Sequence, residues 1–122
     1  GTDGQEFTFP AISVKEGEQI LIARYPDAMA EYYGTNCYSK FTYVYVDSYC
    51  SQNGDDAIEV FKDGNVIETY GDANVRGTGQ GWEYTGSWGF KGDNGKWSTG
   101  DLGCTSGATS NSASSCPYPL CN

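Results

Sequence analysis

The sequence predicts a small all-β domain that disulfide bonds stabilise. The chain is rich in glycine (17 of 122 residues) and tyrosine (10 residues), and it contains five cysteines. Its apolar residues alternate with polar residues in short runs between glycines, a pattern that is typical of strands joined by tight turns. Cysteine-rich chains of this size commonly belong to secreted domains, in which disulfides support a small core.

The charge balance excludes several classes of protein. The chain has 16 acidic and 7 basic residues, a net charge of −9 and no histidine. Nucleic-acid binding is excluded because phosphate contacts need clustered cations, and histidine-based catalysis is excluded as well. The longest apolar runs have only four or five residues, so we expect no membrane insertion. The carboxylates are scattered without a specific catalytic pair, and we expect no enzyme activity.

Four elements are predicted before residue 50. Alternation predicts a strand over Glu6–Phe9, and β-forming residues predict a second over Gln19–Ala23. Residues Asp27–Tyr33 form a short helix candidate, with Asp27 as its cap and Gly34 at its end. The run FTYVYV predicts a strand over Phe41–Val46.

The stretch AIEVFKDGNVIETY, residues 57–70, predicts a β-hairpin. Asp63 and Gly64 lie between two alternating runs, which is typical of a two-residue loop. That loop places Glu59 opposite Glu68, and like charges in this position destabilise a strand pair. We therefore expect a nearby cation or an exposed edge.

The rest of the chain changes in composition near residue 103. Residues 71–100 contain many glycines and all three tryptophans, whereas residues 103–115 are rich in Ser, Thr, Gly and Ala and predict a flexible loop. We therefore divide the chain into a β domain over 1–103 and a disulfide-tied segment over 104–122.

The cysteines predict two bridges and an extracellular location. Cys37 and Cys50 flank the FTYVYV strand, and Cys104 and Cys116 bracket the Ser/Thr-rich loop. Cys121 is then left over as a candidate for an intermolecular disulfide. Pairing of Cys104 or Cys116 with Cys121 stays open as an alternative.

Three segments resemble the lamin-tail domain family in its extracellular branch. They are NGDDAIEVFKDGNVIETYGD, then GTGQGWEYTGSWGF, and upstream EFTFPAISVKEGEQILIA. The resemblance covers about residues 6–104. It implies an immunoglobulin-like β-sandwich and a non-catalytic module, as found in nuclear lamins and as appendages on secreted bacterial enzymes and surface proteins.

The chain departs from this family pattern at its start. The family usually has two further strands ahead of the segment that FTFP resembles, and this sequence begins just before that segment. A sandwich that lacks strands exposes a sheet edge with unpaired backbone groups, which invites strand addition. We expect the edge to be completed by a cleaved N-terminal piece or by a neighbouring copy.

Two kinds of binding residue are candidates. Asp55 and Asp56 are weak candidates for a calcium site, and the competing interpretation is a turn stabilised by their carboxylates. Trp97 is expected to be exposed and is a candidate platform for carbohydrate, whereas the resemblance places Trp82 and Trp88 in the core.

Other residues are candidates for interfaces or modification. Tyr43 and Tyr45 share one face of the FTYVYV strand and are interface candidates, and the competing interpretation is a strand face packed on the core. O-linked sugars have four candidate acceptors in the C-terminal segment: Thr105, Ser106, Thr109 and Ser110.

The predicted function is structural. We expect a subunit or module of a surface filament or matrix that associates through sheet edges, Tyr-rich surfaces and an intermolecular disulfide from Cys121. The alternative is a carbohydrate- or calcium-binding accessory module of a larger secreted protein.

Overall fold

A computed structural model describes the backbone of residues 4–121 and the side chains of residues 4–120. The strands form three separate two-stranded sheets. The elements in chain order are β1 (Gln19–Ala23), α1 (Pro26–Tyr33), α2 (Thr35–Tyr38), β2 (Phe41–Val46), β3 (Ile58–Lys62), β4 (Asn65–Tyr70), β5 (Gly89–Lys91), β6 (Trp97–Thr99) and the 3₁₀ helix Pro119–Cys121. The predicted β-rich fold is confirmed, and within the described residues every helix is too short and polar to cross a membrane.

Strands β1 and β2 form a parallel pair and have the predicted bounds. Parallel strands need a crossover, and α1 with α2 supplies it. Leu21 lies opposite Val44, and Ala23 lies opposite Val46. Leu21 and Ala23 are buried, whereas Val46 is 68% exposed. On this side of the sheet, the side chains of β1 are therefore more deeply buried than those of β2.

Helix α1 begins one residue before the predicted start. Pro26 occupies its first turn, where the fixed φ of proline suits a helix and its missing N–H costs no hydrogen bond. Tyr25 is the N-cap residue, so the prediction that Asp27 caps the helix was wrong; Asp27 lies in the first turn instead. Gly34 ends the helix with φ 86° and donates its N–H to the Ala30 carbonyl, as predicted.

The predicted strand over Glu6–Phe9 is absent, since residues 4–18 form no strand. Phe7 packs instead against the rings of Phe9 and Tyr45, at centroid distances of 5.2 and 5.5 Å. Alternation produces a strand only where a neighbouring edge supplies hydrogen bonds. Here β1 and β2 pair with each other, and this segment adds to neither.

The predicted hairpin is formed by β3 and β4 around Asp63 and Gly64, which have φ 53° and 79°. Positive φ at both positions is the requirement of a type I′ turn. A bulge shifts the register between Val60 and Phe61, so that Glu68 lies opposite Val60. The expected facing pair of Glu59 and Glu68 was therefore wrong, because the bulge adds one residue to β4.

Few side chains of the described region are deeply buried. Leu21, Ala23, Cys37 and Tyr70 form the buried apolar set, and none of the large side chains described is fully enclosed. Many large apolar side chains are instead more than a third exposed, among them Phe61 at 58% and Ile67 at 60%. The fold therefore leaves much apolar surface in contact with solvent.

The C-terminal segment is a series of hydrogen-bonded turns rather than an open loop. The predicted disulfide between Cys104 and Cys116 closes it. Ser114 is buried, and its hydroxyl accepts the N–H of Cys116. Serine hydroxyls supply hydrogen bonds to this short segment, which lets it pack without large apolar side chains.

The predicted bridge between Cys37 and Cys50 was wrong. Cys50 carries a free thiol, whereas Cys37 is bonded in a disulfide. A disulfide joins Cα atoms no more than about 7 Å apart. The extended strand β2 lies between these two cysteines and spans about 17 Å at the usual rise per residue. The prediction of an intermolecular disulfide concerns the side chain of Cys121, which lies outside the side chains that the structure describes.

Candidate functional site

The candidate site is an apolar groove of about 310 Å³ between the β3–β4 hairpin and the β5–β6 hairpin. We call it the aromatic groove. Its main lining residues are Ile58, Val60, Tyr70, Tyr84, Trp88 and Trp97. Grooves of this size with apolar and aromatic walls are typical of binding sites.

Tyr70 forms the base of the aromatic groove. It is only 6% exposed, and its hydroxyl donates a hydrogen bond of 2.6 Å to the Trp82 carbonyl. Its ring makes edge contacts with Tyr84 and Trp97, at centroid distances of 5.4 and 4.9 Å. Such contacts fix the ring positions, so the walls of the groove are formed in advance.

Gly89 makes the close approach to Tyr70 that this packing requires. A Cβ atom at Gly89 would lie 2.7 Å from the Tyr70 ring. We expect Gly89→Ala to lower the free energy of unfolding by about 1–3 kcal/mol through overpacking. Gly81→Ala is the matched control, because nothing lies within 4 Å of a Cβ there. Thermal melting checks the pair, and equal melting temperatures would contradict the described packing.

The β3 side of the aromatic groove is open. Ile58 is 42% exposed, and β3 has β4 as its one strand partner among the described residues. The other edge of β3 therefore lacks a neighbouring strand. An open edge next to an apolar groove has the features that strand addition uses.

One ion pair lies at the rim. Lys91 Nζ donates a hydrogen bond to Glu68, a lining residue of the groove, and also lies 5.8 Å from the centroid of the Trp97 ring. The hydrogen bond from Lys91 holds the pKa of Glu68 below its ordinary value. Lys91 therefore pairs with the charge of Glu68, which lies opposite Val60 and not opposite Glu59 as predicted.

The Asp-rich turn has the contacts of a structural turn. Asp55 accepts hydrogen bonds from Thr78 Oγ1 at 2.8 Å and from Arg76 Nε at 3.3 Å, and its pKa is lowered first by the bond from Thr78. Asp56 accepts the N–H of Asn53 at 3.0 Å. Within residues 4–120, no three His, Cys, Asp or Glu side chains are placed to hold a metal ion.

Trp97, the predicted platform, is 42% exposed and lines the aromatic groove. Tyr43 and Tyr45, the interface candidates, lie elsewhere on β2, half-buried and stacked at 6.4 Å. The Tyr43 hydroxyl donates to the Ser13 carbonyl, and Phe7 packs on Tyr45. Much of this tyrosine face is therefore covered by the chain itself.

The O-glycan candidates differ in exposure. Thr105 Oγ1 donates a hydrogen bond of 2.7 Å to the Gly86 carbonyl and is half-buried. Ser106 and Thr109 are exposed, and Ser110 is half-buried. Of the four, Ser106 and Thr109 are therefore the most accessible to a modifying enzyme.

Sequence reasoning missed Ile58, Val60 and Tyr70 as lining residues of the aromatic groove. The alternation of Ile58 and Val60 along β3 places them on one face of the strand and was the available signal. Tyr70, at the end of β4, gave no separate signal, because its position depends on contacts with residues 82–97.

Several tyrosines have hydroxyls that the fold keeps neutral. Burial raises the pKa of Tyr33 to about 12 and also raises the pKa of Tyr70, Tyr84 and Tyr118. The unfolded chain releases these protons near pH 10, so between that pH and the higher folded pKa the folded state binds more protons. Stability contributed by these groups is present below about pH 10 and is lost as the pH rises.

We therefore expect the melting temperature to fall progressively above about pH 10. Absorbance of the phenolate near 295 nm should rise together with unfolding. Tyr84→Phe should reduce the pH dependence, and Tyr49→Phe, at a residue that is 73% exposed, should leave it unchanged. A melting temperature that stays constant from pH 8 to pH 11 would contradict this expectation.

Comparison with known proteins found no matching family model, no matching curated protein and no matching solved structure. The lamin-tail resemblance therefore stays a prediction from the sequence. The geometry of the aromatic groove carries the functional argument.

Proposed function

We propose that the chain is a non-catalytic module of an extracellular filament or matrix, and that its copies associate through the aromatic groove. The observation that carries this proposal is an apolar groove next to an edge of β3 that has no strand partner among the described residues. A sheet buries its apolar face against another element in a stable domain. In the proposed lamin-tail-like sandwich, the side chains of an added strand bury part of the apolar face of the hairpin.

Exposed apolar surface at the edge of the groove supports this location. Ile58 lines the groove and is 42% exposed, whereas Phe61 and Ile67, at 58% and 60%, do not line it. Exposed apolar surface on a small domain marks interaction sites. Side chains of an added strand that fill the groove remove apolar surface from water, which favours association.

The proposed occupant is residues 6–9 of a second copy. This segment has the alternation of a strand but pairs with no strand within residues 4–121 of its own chain. Phe9 is 42% exposed, and Phe7 and Phe9 point to the same side when the segment is extended. On the edge of β3, these two rings would enter the neighbour's groove, and Phe7 would exchange its contact with Tyr45 for the new one.

This mode of association produces a filament rather than a closed dimer. The segment of one copy and the groove of the next are different surfaces, so each added copy leaves both surfaces available at the two ends. The net charge of −9 opposes association at low ionic strength. Salt screens this repulsion, and we expect longer assemblies as the salt concentration rises.

The apolar lining favours aromatic side chains over a sugar in this groove. Its six main lining residues contribute mostly carbon surface, and Glu68 at the rim is already bonded to Lys91. A sugar needs several free hydrogen-bonding groups. The calcium alternative is weakened because Asp55 is paired with Arg76 and Thr78.

The proposal is tested with Val60→Asp, which places a charge in the aromatic groove. Val75→Asp is the matched control, since it adds the same charge at an apolar residue that is 42% exposed and outside the groove. Sedimentation velocity over a dilution series should show assemblies for the wild type and Val75→Asp and monomers for Val60→Asp. Circular dichroism confirms that each variant is folded.

A wild-type chain that stays a 13.2 kDa monomer at every concentration and salt level would contradict the proposal. Equal assembly of Val60→Asp and Val75→Asp would contradict the groove as its site.

A further inference from the structure

Residues 6–9, the segment that inserts in the proposed assembly, lie against β2 of their own chain. The centroid of the Phe7 ring lies 5.5 Å from that of Tyr45. Beyond the segment, the Tyr43 hydroxyl donates a hydrogen bond of 3.3 Å to the Ser13 carbonyl. Tyr43 and Tyr45 lie on the same face of β2, so the two contacts together hold the segment on that face.

The rest of the segment adds little to this attachment. Among residues 4–11, Phe7 is half-buried and the others are exposed. Within the part of the chain that the structure describes, residues 4–14 make no backbone–backbone hydrogen bonds. Segments with few buried contacts and no backbone pairing open at a low cost in free energy. We therefore expect the segment to exchange between a docked position on β2 and a released position.

The docked position and the proposed insertion exclude each other. Insertion takes the Phe7 ring into the aromatic groove of a neighbouring copy, and the same ring cannot then pack on Tyr45 of its own chain. When only part of a population is competent to bind, the apparent affinity falls in proportion to that fraction. Docking on Tyr45 therefore weakens the apparent affinity of the segment for the neighbouring groove.

We propose that the contact between Phe7 and Tyr45 is autoinhibitory: it holds back the inserting segment and raises the concentration at which copies assemble. This inference rests on the proposed function and adds the regulation of the same site. The stabilisation that an aromatic pair usually provides corresponds to about a two- to tenfold change in the released fraction.

Tyr45→Thr tests the proposal, because it removes the ring and keeps a residue that favours strands. Tyr45→Phe is the matched control, since it retains the ring that Phe7 contacts. Sedimentation velocity over a dilution series should show half-assembly of Tyr45→Thr at a concentration about two- to tenfold lower than that of the wild type. Tyr45→Phe should assemble at the wild-type concentration.

A second readout measures release of the segment in the absence of assembly. The two Tyr45 substitutions are each combined with Val60→Asp, which removes the groove. Chymotrypsin should cleave after Phe7 faster in the chain with Tyr45→Thr, because proteolysis follows the population of the open form, and mass spectrometry identifies the cleaved bond. Both double variants should stay monomeric, which distinguishes assembly through the groove from aggregation of a destabilised chain.

Tyr43→Phe provides a milder variant if circular dichroism shows that Tyr45→Thr does not fold. It removes only the hydroxyl that bonds to Ser13 and leaves the ring in place. It should be cleaved faster after Phe7 in the Val60→Asp background, and it should assemble at about half the wild-type concentration.

The outcomes separate this inference from the proposed function. If the wild type assembles and the folded variant assembles at the same concentration, or is cleaved after Phe7 at an unchanged rate, autoinhibition is overturned and the proposed function stands. Assembly of Tyr45→Thr combined with Val60→Asp would likewise overturn autoinhibition. If neither the wild type nor any variant assembles, both the inference and the proposed function are overturned.

Discussion

Replacing Tyr70 with alanine should lower the free energy of unfolding by about 3–5 kcal/mol, the range for removing a buried aromatic ring. Tyr70 is 6% exposed and contacts the rings of Trp82, Tyr84 and Trp97. Small domains are stable by only about 5–15 kcal/mol, so this loss is a large part of the total. Urea unfolding followed by tryptophan fluorescence measures the change.

Two further variants separate the ring of Tyr70 from its hydroxyl. Tyr70→Phe removes only the hydrogen bond to the Trp82 carbonyl and should cost about 1 kcal/mol. Tyr49→Ala removes a tyrosine that is 73% exposed and should change stability by less than about 0.5 kcal/mol. Similar losses for Tyr70→Ala and Tyr49→Ala would contradict the role of Tyr70 as the packing centre.

Breaking the disulfide between Cys104 and Cys116 is the second large effect that we expect. The double variant with serine at both positions should lose about 3 kcal/mol, the value expected for a loop of this length. The C-terminal turns should open, because residues 104–116 hold few large apolar side chains. Proteolysis of this segment and thermal melting both report the change.

Cys50→Ser is the matched control, because the thiol of Cys50 is free. It should change the melting temperature little while removing the same kind of atom. If Cys50→Ser destabilises the protein as much as the double variant, the assignment of the free thiol is contradicted.

Local signals in the sequence predicted the β3–β4 hairpin and the strands β1 and β2, whereas the predicted strand over Glu6–Phe9 does not form and β5 and β6 were not predicted. Asp63 and Gly64 specify a type I′ turn by themselves, and FTYVYV forms β2 with the predicted bounds. The bulge in β4 was not predictable, because one extra residue leaves the apolar pattern nearly unchanged. The pairing of β1 with β2 was not predictable either, since alternation does not specify a partner.

The candidate site was predicted only in part. Trp97 was expected to be an exposed binding residue, and it lines the aromatic groove. The groove itself depends on how two distant hairpins meet around Tyr70, which no short pattern in the sequence encodes. The predicted disulfide between Cys37 and Cys50 was wrong for a related reason. The prediction relied on their short separation in sequence and neglected the extended strand β2 that lies between them.

The measurement that tests the assembly proposal most directly is a mixing experiment with two variants that each lack one of the two proposed surfaces. Phe9→Asp retains the groove and loses the inserting segment, whereas Val60→Asp retains the segment and loses the groove. Each variant alone should stay monomeric in sedimentation velocity. Their equimolar mixture should form a 1:1 dimer that grows no further, because only one intact segment and one intact groove are available. A mixture that stays monomeric, or a single variant that forms long assemblies, would contradict association through this groove.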